Sequence, residues 1–177
     1  MTSSNSLIDK KYLYLIGGLS FGIGALIAIN KSRKNKKPKR LTENLIGIEM
    51  GGTGSKISVI NRRWNASSNK YDYQVMSRFG VDSTTPEETV SRLLEFIRGT
   101  EFSQIGIASF GPVCLNPKDP YFGCITTTPK LQWQNYPLLA TVRQKTGCEN
   151  VFMDTDVNAA ALAEYELGEI ESFFEAN

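Results

Sequence analysis

Apolar and polar positions change rhythm several times along this chain. Tyr12 to Asn30 (YLYLIGGLSFGIGALIAIN) is a run of 19 residues without a charge. A polar, basic stretch follows, and alternation then takes over. Leu45–Glu49 (LIGIE) and Lys56–Ile60 (KISVI) carry the pattern of strands and are separated by MGGTGS, which predicts a hairpin with a glycine-rich turn. A third strand is expected over Tyr71–Phe79, reached through a polar loop, RRWNASSNK. Thr84 or Thr85 as cap, Pro86 in the first turn and the early acids Glu87 and Glu88 predict a helix to about Arg98, stopped by Gly99. Gln104–Ser109 reads as a short buried strand. Phe110–Tyr136 is a long loop holding four of the seven prolines, with Pro137 just past its end. A connection that long is usually functional. Pro137–Thr146 reads as a helix closed by Gly147, Val151–Met153 as a strand, and Val157–Leu167 as an alanine-rich helix closed by Gly168.

An order of three strands, then alternating helices and strands, is not that of a Rossmann domain. It opens with antiparallel hairpins and turns α/β only afterwards. This is the order of the ribonuclease-H-like fold shared by actin, hexokinases and acetate kinases. The expected fold is therefore an α/β lobe with a mixed sheet and flanking helices, preceded by a single transmembrane helix. The expected divisions are a tail over 1–11, a membrane anchor over 12–30, a basic linker over 31–43 and the lobe over 44–177.

The anchor rests on length and flanks. About 20 apolar residues span a bilayer core. Lys10 and Lys11 lie on one side, and residues 31–40 (KSRKNKKPKR) add seven Lys or Arg on the other. The heavier positive flank places the main domain on the cytosolic side of a single-pass protein. A cleaved signal peptide, a mitochondrial transit peptide and a buried core helix are the competing readings. The first lacks an A-x-A site, the second would be Arg-rich and amphipathic, and the third does not suit the basic flank. Gly18 and Gly22 form a GxxxG pair, which suits close helix packing, so a homodimer is among the expected partners.

The net charge of +2 hides an uneven distribution. From Leu41 to Asn177 there are 11 basic and 17 acidic residues, a balance of −6, which speaks against a nucleic-acid-binding surface. KNKKPKR resembles a nuclear-localisation or nucleic-acid patch, but beside an apolar run a stop-transfer flank is the simpler reading. Cys114, Cys124 and Cys148 form no CxxC pair, so neither a disulfide framework nor a zinc site is expected, and a reducing compartment fits. With no histidine, chemistry must rest on carboxylates, hydroxyls, backbone amides and bound metal.

Three segments carry candidate chemistry. In IGIEMGGTGSK (Ile46–Lys56), Gly51, Gly52 and Gly54 let the backbone turn its N–H groups toward one point, a natural seat for phosphate oxygens. Thr53 and Ser55 add hydroxyls, and Lys56 a charge. A plain glycine hairpin turn is the alternative. In Ile105–Leu139 (IGIASFGPVCLNPKDPYFGCITTTPKLQWQNYPLL), hydroxyls and amides surround an exposed-looking Trp133, a combination that suits a sugar. The alternative is a surface loop with Trp133 packed as a lid over the core. In FMDTDVNAAALAEYELGE (Phe152–Glu169), Asp154, Thr155 and Asp156 precede a helix, and capping alone would account for them.

Taken in order, the three segments resemble the ROK family of sugar kinases, closest to its bacterial-type fructokinases, over roughly Leu45 to Gly168. IGIEMGGTGSK is similar to the family's phosphate-binding hairpin, with Glu49 resembling the fructokinase branch. Gly54 and Ser55 are extra to the family's usual form before Lys56. SFGP…GCITTTPKLQWQN resembles the sugar loop, and DTDVN the string that carries the catalytic base. The resemblance implies ATP- and Mg²⁺-dependent transfer to a hexose, most naturally fructose to fructose 6-phosphate. Gly51, Gly52, Thr53 and Lys56 would face ATP, Gly111, Pro112, Asn135 and Asn158 the sugar, and Asp156 would be the base. A carboxylate near a helix N-terminus stays ionised, and phosphoryl transfer demands mainly positioning and charge stabilisation. The family's second lobe, with its zinc motif and adenosine-side glycines, would lie beyond Asn177. The rival expectation is a non-catalytic, membrane-tethered sugar-binding or regulatory remnant.

Overall fold

A computed structural model describes residues 40–167, with side chains described through Ala163. The apolar run 12–30, linker residues 31–39 and Gly168 lie outside the described residues. Among the described residues 40–167, no helix is long and apolar enough to cross a membrane.

Five strands build one mixed sheet. β1 (Thr42–Met50), β2 (Gly54–Asn65) and β3 (Lys70–Asp82) form an antiparallel meander. β4 (Gln104–Ser109) lies parallel to β1 on its other side, and β5 (Val151–Thr155) lies parallel to β4, so the order is β3-β2-β1-β4-β5. The parallel steps need crossovers. α1 (Pro86–Phe96) serves the first and α2 (Leu138–Thr146) the second, while α3 (Asp156–Leu167) follows β5. This is the mixed sheet with flanking helices that the order of elements predicts.

The central strands are apolar on both faces, as strands covered on both sides must be. On one face Ile46, Ile48, Met50, Ile57, Ile105, Ile107 and Val151 meet Val90, Leu93 and Ile97 of α1 and Leu138, Leu139 and Val142 of α2. α3 packs against β4 and β5, where Ala159 and Ala163 are buried and small enough to let the helix approach closely.

Thr85 is the cap of α1, its hydroxyl accepting from the Glu88 N–H. The helix ends at Phe96, before the predicted Arg98, and Gly99 at φ 76° carries the chain away. Gly147 closes α2 at φ 67°, as expected.

Two expectations are corrected. RRWNASSNK is not a loop: β2 continues through Asn65 and only residues 66–69 turn. Cross-strand pairs extend the ladder there, with Trp64 edge-on to Tyr71 at 5.0 Å and the Arg62 guanidinium over the Tyr71 ring at 4.5 Å. Trp133 is not exposed. It is 1% accessible, lies edge-on to Phe110 and Tyr136, and its indole N–H donates to the Thr84 carbonyl at 2.9 Å. The indole belongs to the core, which removes it as a stacking surface for a sugar.

Candidate functional site

The three candidate segments converge on one edge of the sheet, because each leaves a parallel strand at its C-terminal end. Gly51 follows β1, Phe110 follows β4, and Asp156 follows β5. In open α/β sheets this edge is where ligands bind.

The glycine turn joins β1 to β2. A side chain on Gly51 would run into the Gly54 carbonyl oxygen, so the turn requires glycine there. Gly52 is exposed, and a side chain on it would meet nothing within 4 Å, so its bareness answers no internal packing need. It leaves the outer surface of the turn open. Thr53 is exposed beside it. Lys56 sits on β2 beyond the turn, directly opposite Glu49, with its ammonium 3.6 Å from the carboxylate. Arg78 lies within the same field: burial lowers its pKa, and the Glu49 charge acts in the opposite direction.

Register links the first and third segments. Glu49 is paired with Ala108, and Ala108 with Asp154, so both acids share one row and one face of the sheet. Past that row, Thr155 is the cap of α3, its hydroxyl accepting from the Asn158 N–H at 3.1 Å. The Asp154 Oδ1 accepts from the Thr155 N–H and from the Asn158 carboxamide at 2.9 Å. The capping duty thus falls on Thr155, with Asp154 bracing it. Among the described residues, Asp156 holds only its neighbour's N–H, that of Val157, through Oδ1.

The sugar-loop candidates are drawn together by Thr126. Its N–H and hydroxyl both donate to the Pro112 carbonyl, and its own carbonyl accepts from the Asn135 N–H. Gly111–Pro112 is a cis peptide. Asn135 is exposed and adopts φ 57°, a left-handed conformation asparagine tolerates better than most residues. Ile125 bridges both Val113 and Tyr136, so the segment is pinned rather than loose.

Sequence reasoning missed Ser83 and Lys130. The Ser83 hydroxyl donates to the Gly51 carbonyl at 2.7 Å, and Lys130 reaches the Ser83 carbonyl at 3.2 Å. Ser83 lies outside every quoted motif, Lys130 sits inside the sugar-loop string without a role there, and only the fold brings the two to the turn. Burial raises the pKa of the Cys124 and Cys148 thiols, which keeps both protonated and poorly nucleophilic at neutral pH. Among the described residues no three Cys, Asp or Glu side chains cluster as a metal cage.

Comparison with known proteins agrees with this geometry. Residues 45–173 match the ROK family model. A fructokinase of Zymomonas mobilis is 40% identical over 123 residues, 66% of this chain and 38% of the relative. A fructokinase of Lactococcus lactis is 32% identical, covering 66% of this chain and 37% of its own length. A glucokinase of Streptomyces coelicolor is 29% identical over 128 residues. Among solved structures, a ROK family glucokinase from Streptomyces griseus, in complex with glucose and AMPPNP, aligns at a TM-score of 0.53 and 26% identity, over 71% of this chain and 37% of that one. The chain thus spans well under half the length of the relatives it matches.

Proposed function

The chain belongs to the ROK family, and from that premise we propose that it supplies the phosphate-turn and sugar-side lobe of an ATP-dependent hexose kinase that converts fructose to fructose 6-phosphate. The observation that carries the reading is the convergence of all three segments on the C-terminal edge of the parallel strands.

In this reading the open turn at Gly51, Gly52 and Thr53 receives the phosphates of ATP through backbone N–H groups, and Lys56, steadied by Glu49, adds positive charge behind them. Asn135 and Asn158 hydrogen-bond sugar hydroxyls, and Gly111 and Pro112 shape the wall beside them. Asp156 takes the proton from the attacking hydroxyl. It suits that task because Thr155 and Asp154 already satisfy the helix start, leaving its carboxylate engaged only locally. The chain's own carboxylates at this edge (Glu49, Asp154 and Asp156) fit a Mg²⁺ held mainly by phosphate oxygens and water rather than by a protein cage. Bound there, the ion would neutralise charge developing on the transferred phosphoryl group. Fructose is preferred over glucose because relatives named fructokinase reach 40% identity, whereas the glucokinase is 29% identical.

The test is a coupled ADP-release assay with fructose, glucose and mannose. It is run on the chain as it stands and on a chimera with the remaining portion of the Zymomonas mobilis relative. Fructose should give the highest kcat/KM in the chimera. A folded chimera that turns over none of the three sugars would refute the reading.

A further inference from the structure

Ser83 lies outside every segment that the sequence marks, yet all of its polar backbone and side-chain atoms serve the glycine turn or the sugar-side loop. Its N–H donates to the Thr53 carbonyl at 2.9 Å, and its hydroxyl donates to the Gly51 carbonyl at 2.7 Å. The same hydroxyl oxygen lies 2.7 Å from Ser55 Oγ. A hydroxyl carries one proton. Since that of Ser83 goes to Gly51, the buried Ser55 hydroxyl must be the donor in their contact. The Ser83 carbonyl in turn accepts from the Lys130 ammonium at 3.2 Å, while the next carbonyl, that of Thr84, accepts from Trp133.

The consequence follows from peptide planarity. In a trans peptide the C=O of one residue and the N–H of the next point in opposite directions. By holding the Gly51 carbonyl, Ser83 turns the Gly52 N–H away from itself. By holding the Thr53 carbonyl, it does the same for the Gly54 N–H. One residue therefore aims two turn donors away from its own side of the turn, and a side chain built on Gly52 between them would meet nothing within 4 Å.

We propose that Ser83 is the positioning residue of the phosphate turn, and that Lys130 fastens it from the sugar-side loop so that the two loops behave as one unit. The inference deepens the kinase reading, and its clamp can be measured without it. Hydrogen exchange at the Ser83 amide is followed in the full chain and in Ser83→Ala, Ser83→Thr, Lys130→Met and Lys130→Arg, alongside binding of AMPPNP. Lys130→Met should speed exchange at Ser83 about 5- to 10-fold, the worth of one ordinary hydrogen bond, with Lys130→Arg restoring protection. Ser83→Ala should weaken AMPPNP binding by a similar factor at unchanged fold, and Ser83→Thr should recover it. Unchanged exchange in Lys130→Met overturns the fastening, and unchanged AMPPNP affinity in Ser83→Ala overturns the positioning role. A parent chain that fails to bind AMPPNP counts against the phosphate reading of the turn, and the clamp is then decided by exchange alone.

Discussion

Glu49 and Asp154 stand in one lateral row of the sheet with only Ala108 between them, although they come from segments more than a hundred residues apart. Two strand spacings set their backbones about 10 Å apart. Their present partners differ. Glu49 meets the half-exposed Lys56, a pair of the kind worth about 0–1 kcal/mol, whereas Asp154 braces the start of α3 through two hydrogen bonds. Asp154→Ala should therefore lower stability by about 1–3 kcal/mol in a denaturant titration, and Glu49→Ala by less than about 1 kcal/mol. Equal losses would contradict this division of labour.

The glycine turn separates two roles that the sequence presents alike. Gly51→Ala cannot fit without reshaping the turn, so its melting temperature should fall. Gly52→Ala meets nothing internal and should melt like the parent, yet bind AMPPNP more weakly because the added methyl occupies the outer surface. If Gly52→Ala binds AMPPNP as the parent does, the ligand does not sit over the turn.

At the far end of β1, acid should act through Glu43. Burial pushes its carboxyl up, but the hydrogen bond and charge of Arg62, helped by Ser103, outweigh that and hold it below the ordinary value of 4.5. A carboxyl with a depressed folded pKa contributes stability above its unfolded value and loses it as pH falls through the folded one. The contribution should be complete above about pH 4.5 and fade below it. Glu43→Gln should remove that acid-side slope. At neutral pH it should cost about 3–5 kcal/mol, because the buried Arg62 guanidinium loses its carboxylate. Denaturant melts from pH 3 to 7 on both proteins check this.

Much of the fold was legible because its signals are local. Gln104–Ser109 forms β4 as predicted, since a run of apolar residues between turn signals leaves little choice, and Thr85-Pro86 starts α1 through capping chemistry. The errors arose where tertiary contacts decide. Trp133 looks like a surface aromatic among polar neighbours, and its burial follows from Phe110 and Tyr136 packing on it and from the Thr84 carbonyl that receives its N–H. RRWN looks like a loop until Tyr71 and Glu43 are set opposite it. At the candidate site, the strings point to Asp156 and the glycines but not to the bonds made by Ser83 and Thr126. Their roles depend on carbonyls tens of residues away or across a loop.

The apolar run 12–30 carries its own prediction. The full chain should fractionate with membranes and resist carbonate extraction, and a shortened chain beginning at Leu41 should stay in the supernatant. Recovery of the intact full chain in the soluble fraction would remove the anchor.

The most direct measurement of the central claim is kcat for Asp156→Asn in the chimera with the Zymomonas mobilis relative, with Asp154→Asn as its control. Asparagine keeps the size of Asp156 and its bond to the Val157 N–H but cannot accept a proton. The account predicts a fall in kcat of about 10²–10⁴ for Asp156→Asn, at nearly unchanged sugar affinity and melting temperature. Asp154→Asn should instead lose a little stability and keep most of its turnover. Parent-like turnover by folded Asp156→Asn would contradict the account.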